Sequence, residues 1–134
     1  MHPSWPLSEF AFHGSKQDYP DYLIQKALES GQITKQDADL IREYVADSQT
    51  SRNIGGKRAQ RIIFVLVGLR RFIGPFTENS IADLYSGVSK IKSGTSLRGN
   101  QFAPETIADY IGMLKTFYRW LNEEEYLSAR KETE

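Results

Sequence analysis

The chain has 134 residues, a formal charge of zero at pH 7, two histidines and no cysteine. That length bounds it to one domain of ordinary size, and 40% apolar with 25% charged residues excludes a disordered chain. Without cysteine there is no disulfide, thiolate metal site or cysteine nucleophile, and His2 and His13 alone do not build a zinc site, so no cofactor is expected.

Residues 1–17 hold Pro3, Pro6 and Gly14 among Trp5, Phe10 and Phe12 with no period, which reads as an arm or loop. Pro20 near a start and Gly31 just past an end predict a short helix over 20–30. Thr34 with Asp37 resembles a capping box, and Ala38, Ile41, Tyr44 and Val45 follow at helical spacing, predicting a helix over 35–49. The segment 50–56 has turn residues and two glycines and joins this helix to the next.

Residues 57–73 are apolar and β-branched enough for a strand, but their length and the lack of any partner strand favour a largely buried helix ending at Gly74-Pro75. Its stripe is Ile62, Leu66, Leu69 and Ile73. Lys57, Arg61 and Arg71 fall opposite, with Gly68 between them and Arg58 at the margin. The uncharged run Ile62 to Leu69 is far shorter than the ~20 residues of a membrane helix. No basic residue precedes Lys16, so no signal peptide is visible, and the default expectation is a cytoplasmic protein with no membrane partner.

Thr77 is a candidate cap for the next helix, whose apolar series is Ile81, Leu84, Tyr85, Val88 and Ile91. Ser93 to Gln101 reads as a mobile Gly/Ser loop, and Pro104 restarts a helix carrying Ile107, Tyr110, Ile111, Leu114, Phe117, Tyr118 and Leu121. Phe117, Tyr118 and Trp120 at this spacing are more often core than a base-stacking platform. The polar tail 128–134 is expected to fray. The sum is an all-α chain of four main helices and a short leading one.

The zero charge is a sum of unlike parts. Residues 1–47 carry eight acids against four bases, 48–104 two acids against nine bases, and 105–134 seven acids against four bases. No acid lies between Asp47 and Glu78, where Arg52, Lys57, Arg58, Arg61, Arg70 and Arg71 all fall. Such a basic middle suits phosphates, although solvated helix faces also produce runs of this size.

Nucleotide-loop, zincin and EF-hand spacings are absent. Gly55-Gly56-Lys57 opens a helix, which suits a single phosphate contact but lacks the rest of a nucleotide loop. Glu123-Glu124-Glu125 reads as a solvated helix end, and His13 has no catalytic partner. Lys115 and Arg119 share one face of the last helix.

The series GGKRAQRIIFVLVGLRRFI, FTENSIADLYSGVSKI, a Gly/Ser loop and APETIADYIGMLKTFYRWLNEEEYL resembles the core-binding domain of tyrosine recombinases, the phage-integrase type of site-specific recombinase, over about residues 34–127. The resemblance implies a SAM-like, integrase N-terminal four-helix bundle with a short extra N-terminal helix, here spanning residues 18–127. Such a domain forms half of a clamp around double-stranded DNA and serves DNA integration or recombination. Carried over residue by residue, it implies DNA contacts from Lys57, Arg58 and Arg61 on one helix and from Thr106, Lys115 and Arg119 on the last. Arg52, Asn53, Lys92 and Arg98 would flank them.

Two features depart from the family pattern. The family's Asn-Pro after the last helix is missing. The catalytic Arg, His-x-x-Arg and Tyr set is also absent, so the chain is not expected to act as an enzyme by itself. Its further partners would be the catalytic domain of a longer parent chain, reached through the 128–134 tail, and other recombinase protomers on DNA. The other expectation is a small helical protein-interaction module without DNA binding, suggested by the aromatic arm and the acidic ends.

Overall fold

The computed structural model describes residues 19–96 and 98–127. The expectations for the arm at 1–17, for His13 and for the tail at 128–134 lie outside these residues. Among the described residues there are five helices and no sheet: α1 Tyr19–Glu29, α2 Lys35–Ser51, α3 Gly56–Leu69, α4 Ile81–Lys92 and α5 Pro104–Glu123. A single 3-10 turn, Phe76–Glu78, lies between α3 and α4. No described helix is long and apolar enough to cross a membrane.

The ends follow local chemistry. Gly31 takes φ +81 just past α1, the left-handed conformation that glycine adopts without a Cβ penalty. Thr34 and Asp37 form the expected capping box: the Asp37 N–H donates to Thr34 Oγ1, and the Thr34 N–H donates back to Asp37 Oδ2. Pro104 is the first residue of α5.

Two boundaries differ from the sequence expectation by more than two residues. The helix expected to run to Ile73 ends at Leu69. The Arg70, Arg71 and Phe72 N–H groups instead donate to the carbonyls three residues back, tightening the chain into a turn. The cap of α4 is Ser80, not Thr77: Ser80 and Asp83 close a second capping box, while Thr77 sits inside the 3-10 turn and donates to Gln36 Oε1.

Helix α3 is the centre of the bundle, packing against α1, α2 and α5, while α4 packs on α5. Its stripe Ile62, Leu66 and Leu69 is buried as the spacing predicts, and Ile73 in the following turn is buried too. From α5, Tyr110, Leu114, Phe117 and Leu121 are buried against it, and Trp120 is 8% exposed. Phe117 is the hub of an aromatic cluster. Its ring centroid lies 4.9 Å from Phe76, 5.3 Å from Tyr44 and 5.9 Å from Trp120, within the range where aromatic pairs add to area burial. The aromatic string on α5 is therefore core.

One stripe is not buried as expected. On α4 only Ile91 of the apolar series is fully covered, whereas Ile81 is 61% and Tyr85 74% exposed. The helix closes on the 70–74 turn through Gly87. A Cβ there would lie 2.5 Å from Ile73 Cγ2 and 3.2 Å from the Phe72 carbonyl. That contact fixes the roll of α4 and turns Ile81 and Tyr85 outward.

The turn between α3 and α4 is held by three polar side chains. Asp37, 1% exposed, accepts the Arg70 Nε–H at 2.9 Å and the Phe76 N–H at 3.0 Å. Asn79 Nδ2 donates to the Gly74 and Pro75 carbonyls and to Tyr118 Oη, while its Oδ1 accepts the Gly74 N–H. The Tyr118 hydroxyl in turn donates to the Phe76 carbonyl at 2.6 Å. Side chains of α2 and α5 thus set a turn that belongs to neither.

Leu66→Ala and Leu114→Ala are each expected to destabilise the fold by about 2–5 kcal/mol in urea denaturation, as buried leucines do; a loss under about 0.5 kcal/mol would place that face outside the core. Asp37→Ala should destabilise by about 3–5 kcal/mol, because it leaves the largely buried Arg70 without its carboxylate. Asp37→Asn keeps an acceptor at the Phe76 N–H and should lose less.

Candidate nucleic-acid interface

The ten residues that the sequence proposes for a nucleic-acid face fall into different environments. Lys57 and Arg58 stand exposed in the first turn of α3, directly after Gly55, which caps that helix without a side chain. The first N–H groups of α3 and these two cations therefore add to one positive end. On α5, Lys115 and Arg119 are exposed one turn apart. Among the described residues, none of these four side chains forms an ion pair. Lys92, at the last residue of α4, and Arg98, in the α4–α5 connection, are likewise exposed.

Arg61 differs. It is half-exposed on α3, and its Nη2–H donates to Asp109 Oδ2 of α5. This pairing joins the two helices that would present the interface. An ion pair this open to solvent contributes about 1 kcal/mol at most to stability; its larger consequence is to neutralise the Arg61 charge.

Arg52 is also committed within its own element. It is the C-cap residue of α2, and its Nη2 donates to Ser48 Oγ at 2.9 Å and Tyr44 Oη at 3.2 Å. Asn53 follows with φ +54, a left-handed conformation that asparagine tolerates better than most residues. Its part is to reverse the chain between α2 and α3.

The structure brings some of the candidates together. Arg61 and Thr106 line one cleft, of about 500 Å³, between α1, α3 and the start of α5. Arg52 and Arg119 line a smaller groove between α2 and α5, which also holds Asp47 and Glu123 and so is mixed in charge. Lys57, Arg58, Lys92, Arg98 and Lys115 line neither. No family model, curated protein or solved structure matches this chain, so its site is read from geometry alone.

The cleft includes residues that sequence reasoning left out as site residues. Lys26 of α1, Phe64 of α3, Arg71 of the following turn, Phe102 and Tyr110 all line it. The signal for Arg71 was present, since helical spacing puts it with Lys57 and Arg61. Phe64 is 52% exposed, an apolar side chain on the basic side of α3. Gly68, expected on that same exposed side, is buried instead: a Cβ there would lie 2.5 Å from the Tyr110 hydroxyl. The Ser93–Gln101 segment also carries more structure than a plain loop. Thr95 and Gln101 form an isolated bridge, and the Phe102 N–H donates to the Gly94 carbonyl.

Burial pushes the Tyr110 phenol up from its ordinary value near 10, against Arg71 and Arg61, which pull it down. A phenol whose folded pKa is raised contributes stability that is present below its unfolded value and lost as pH rises through the folded one. Urea midpoints should therefore fall between pH 9 and pH 11, and Tyr110→Phe should shrink that fall. An unchanged fall would show that other tyrosines carry it.

Proposed function

We propose that this chain is the DNA-binding module of a site-specific tyrosine recombinase, with the core-binding, SAM-like arrangement that its sequence resembles. The observation that carries the reading is the basic end of α3, where exposed Lys57 and Arg58 stand without ion-pair partners among the described residues. It lies in the acid-free stretch between Asp47 and Glu78. Support comes from the packing of α3 directly on α5, which sets Lys115 and Arg119 on the exposed side of the second helix. In this reading the cations meet the phosphates of a duplex and fix its register. Base contacts are few, because backbone contacts position without reading sequence. Arg61 reaches a phosphate only by giving up Asp109. Catalysis would reside in another domain, and partner protomers would complete the grip on DNA.

A second reading, a helical protein-interaction module, is favoured by the exposed Ile81 and Tyr85 on α4. It predicts self-association or partner binding that Tyr85→Ser weakens and that charge reversal on α3 leaves intact.

Gel-shift titration with a random-sequence duplex at several salt concentrations separates the two. Engagement of Lys57, Arg58, Lys92, Arg98, Lys115 and Arg119 gives a log–log salt slope of about −5. Lys57→Glu plus Arg58→Glu should weaken binding at least tenfold at low salt with the fold intact by circular dichroism. Binding that ignores salt, or no binding at about 50 mM salt, would sink the DNA reading.

A further inference from the structure

The cleft between α1, α3 and the start of α5 has a chemistry of its own. Its volume of about 500 Å³ lies in the range of small-molecule sites, which are concave, mostly apolar and furnished with a few placed polar groups. Leu23, Phe64, Val67 and Phe102 supply apolar walls, and Phe64 is left half-open to solvent. Three cations line it, Lys26, Arg61 and Arg71, and among the described residues no aspartate or glutamate does.

These cations are not equivalent. Arg61 is neutralised by Asp109. Arg71 donates one N–H to the Thr95 carbonyl at 2.9 Å, and its guanidinium lies 5.0 Å from the Phe72 ring centroid and 5.9 Å from that of Phe102. A guanidinium has five N–H donors, so Arg71 sits beside aromatic rings with donors to spare. Lys26 sits 5.7 Å from the Tyr22 ring centroid and forms no ion pair among the described residues. The field inside the cleft therefore comes from Lys26 on one wall and Arg71 on another, over an apolar floor.

We propose that this cleft binds a small amphipathic organic anion, with a flat aromatic body against Phe64 and Phe102 and a single anionic group held by Lys26 and Arg71. Charge complementarity selects the anion, and the apolar walls select the body. The inference does not depend on DNA binding: of the DNA-contact candidates only Arg61 and Thr106 line the cleft, and neither is asked to hold the anion.

The test is titration of the intact chain with 8-anilinonaphthalene-1-sulfonate, followed by its fluorescence, beside the uncharged N-phenyl-1-naphthylamine. The expected result is saturable one-site binding of the sulfonate, with the neutral dye at least tenfold weaker. Phe64→Ala and the pair Lys26→Gln plus Arg71→Gln should each weaken it at least tenfold. Arg71 also holds the 95 carbonyl, so Lys26→Gln alone, at an exposed position, serves as the variant that leaves the fold untouched and should weaken binding severalfold. Tyr85→Ser, on the exposed face of α4, should change nothing. No saturable binding, equal binding of the neutral dye, indifference to Lys26→Gln, or loss on Tyr85→Ser would each overturn the proposal.

Discussion

The fold turns on one buried carboxylate. Asp37 accepts the N–H of Thr34 at the start of α2, the Nε–H of Arg70 at the end of α3, and the N–H of Phe76 in the turn that follows. A carboxylate at 1% exposure is tolerated only when its charge is matched and its lone pairs are occupied. Here a guanidinium and two backbone N–H groups do both. The same side chain thereby caps one helix, stops another and anchors the corner leading to α4.

The geometry of the surface follows from that corner. Arg71, in the turn just after α3 stops at Leu69, lines the cleft with its guanidinium near the rings of Phe72 and Phe102. Asn79 and the Tyr118 hydroxyl complete the corner from the other side, tying it to α5. Gly87 then lets α4 close on it. The chain from Arg70 to Ser80 has little regular structure, yet side chains of α2 and α5 hold it by hydrogen bonds. Packing of α3 against α5 gives the basic positions of both helices a fixed relation.

Much of the architecture was legible in the residues. Pro104 at a helix start, Gly31 past a helix end and the Thr34–Asp37 capping box all act within four residues, the range over which spacing alone carries the information. The stripes of α3 and α5 were legible for the same reason, and Phe117 and Trp120 were readable as core. The stripe on α4 was misleading. Ile81 and Tyr85 have the spacing of a buried face, but periodicity reports that a face exists, not that another element covers it. At the candidate site, Lys57, Arg58, Lys115 and Arg119 were found as exposed cations. The pairing of Arg61 was not, because Asp109 lies 48 residues away in the chain.

The sequence by itself determined the all-helical class, the order of the helices, the Thr34–Asp37 capping box and the uneven distribution of charge, since each depends on neighbours within a turn or two. Tertiary structure alone decided that Asp37 serves Arg70 and Phe76 as well as its own cap, across 33 and 39 residues. It also decided that Arg61 is neutralised, that Gly68 lies beneath Tyr110, and that Lys26 and Arg71 face one cleft. Those outcomes depend on which helices meet and at what angle, and a pattern within one helix does not contain its partner.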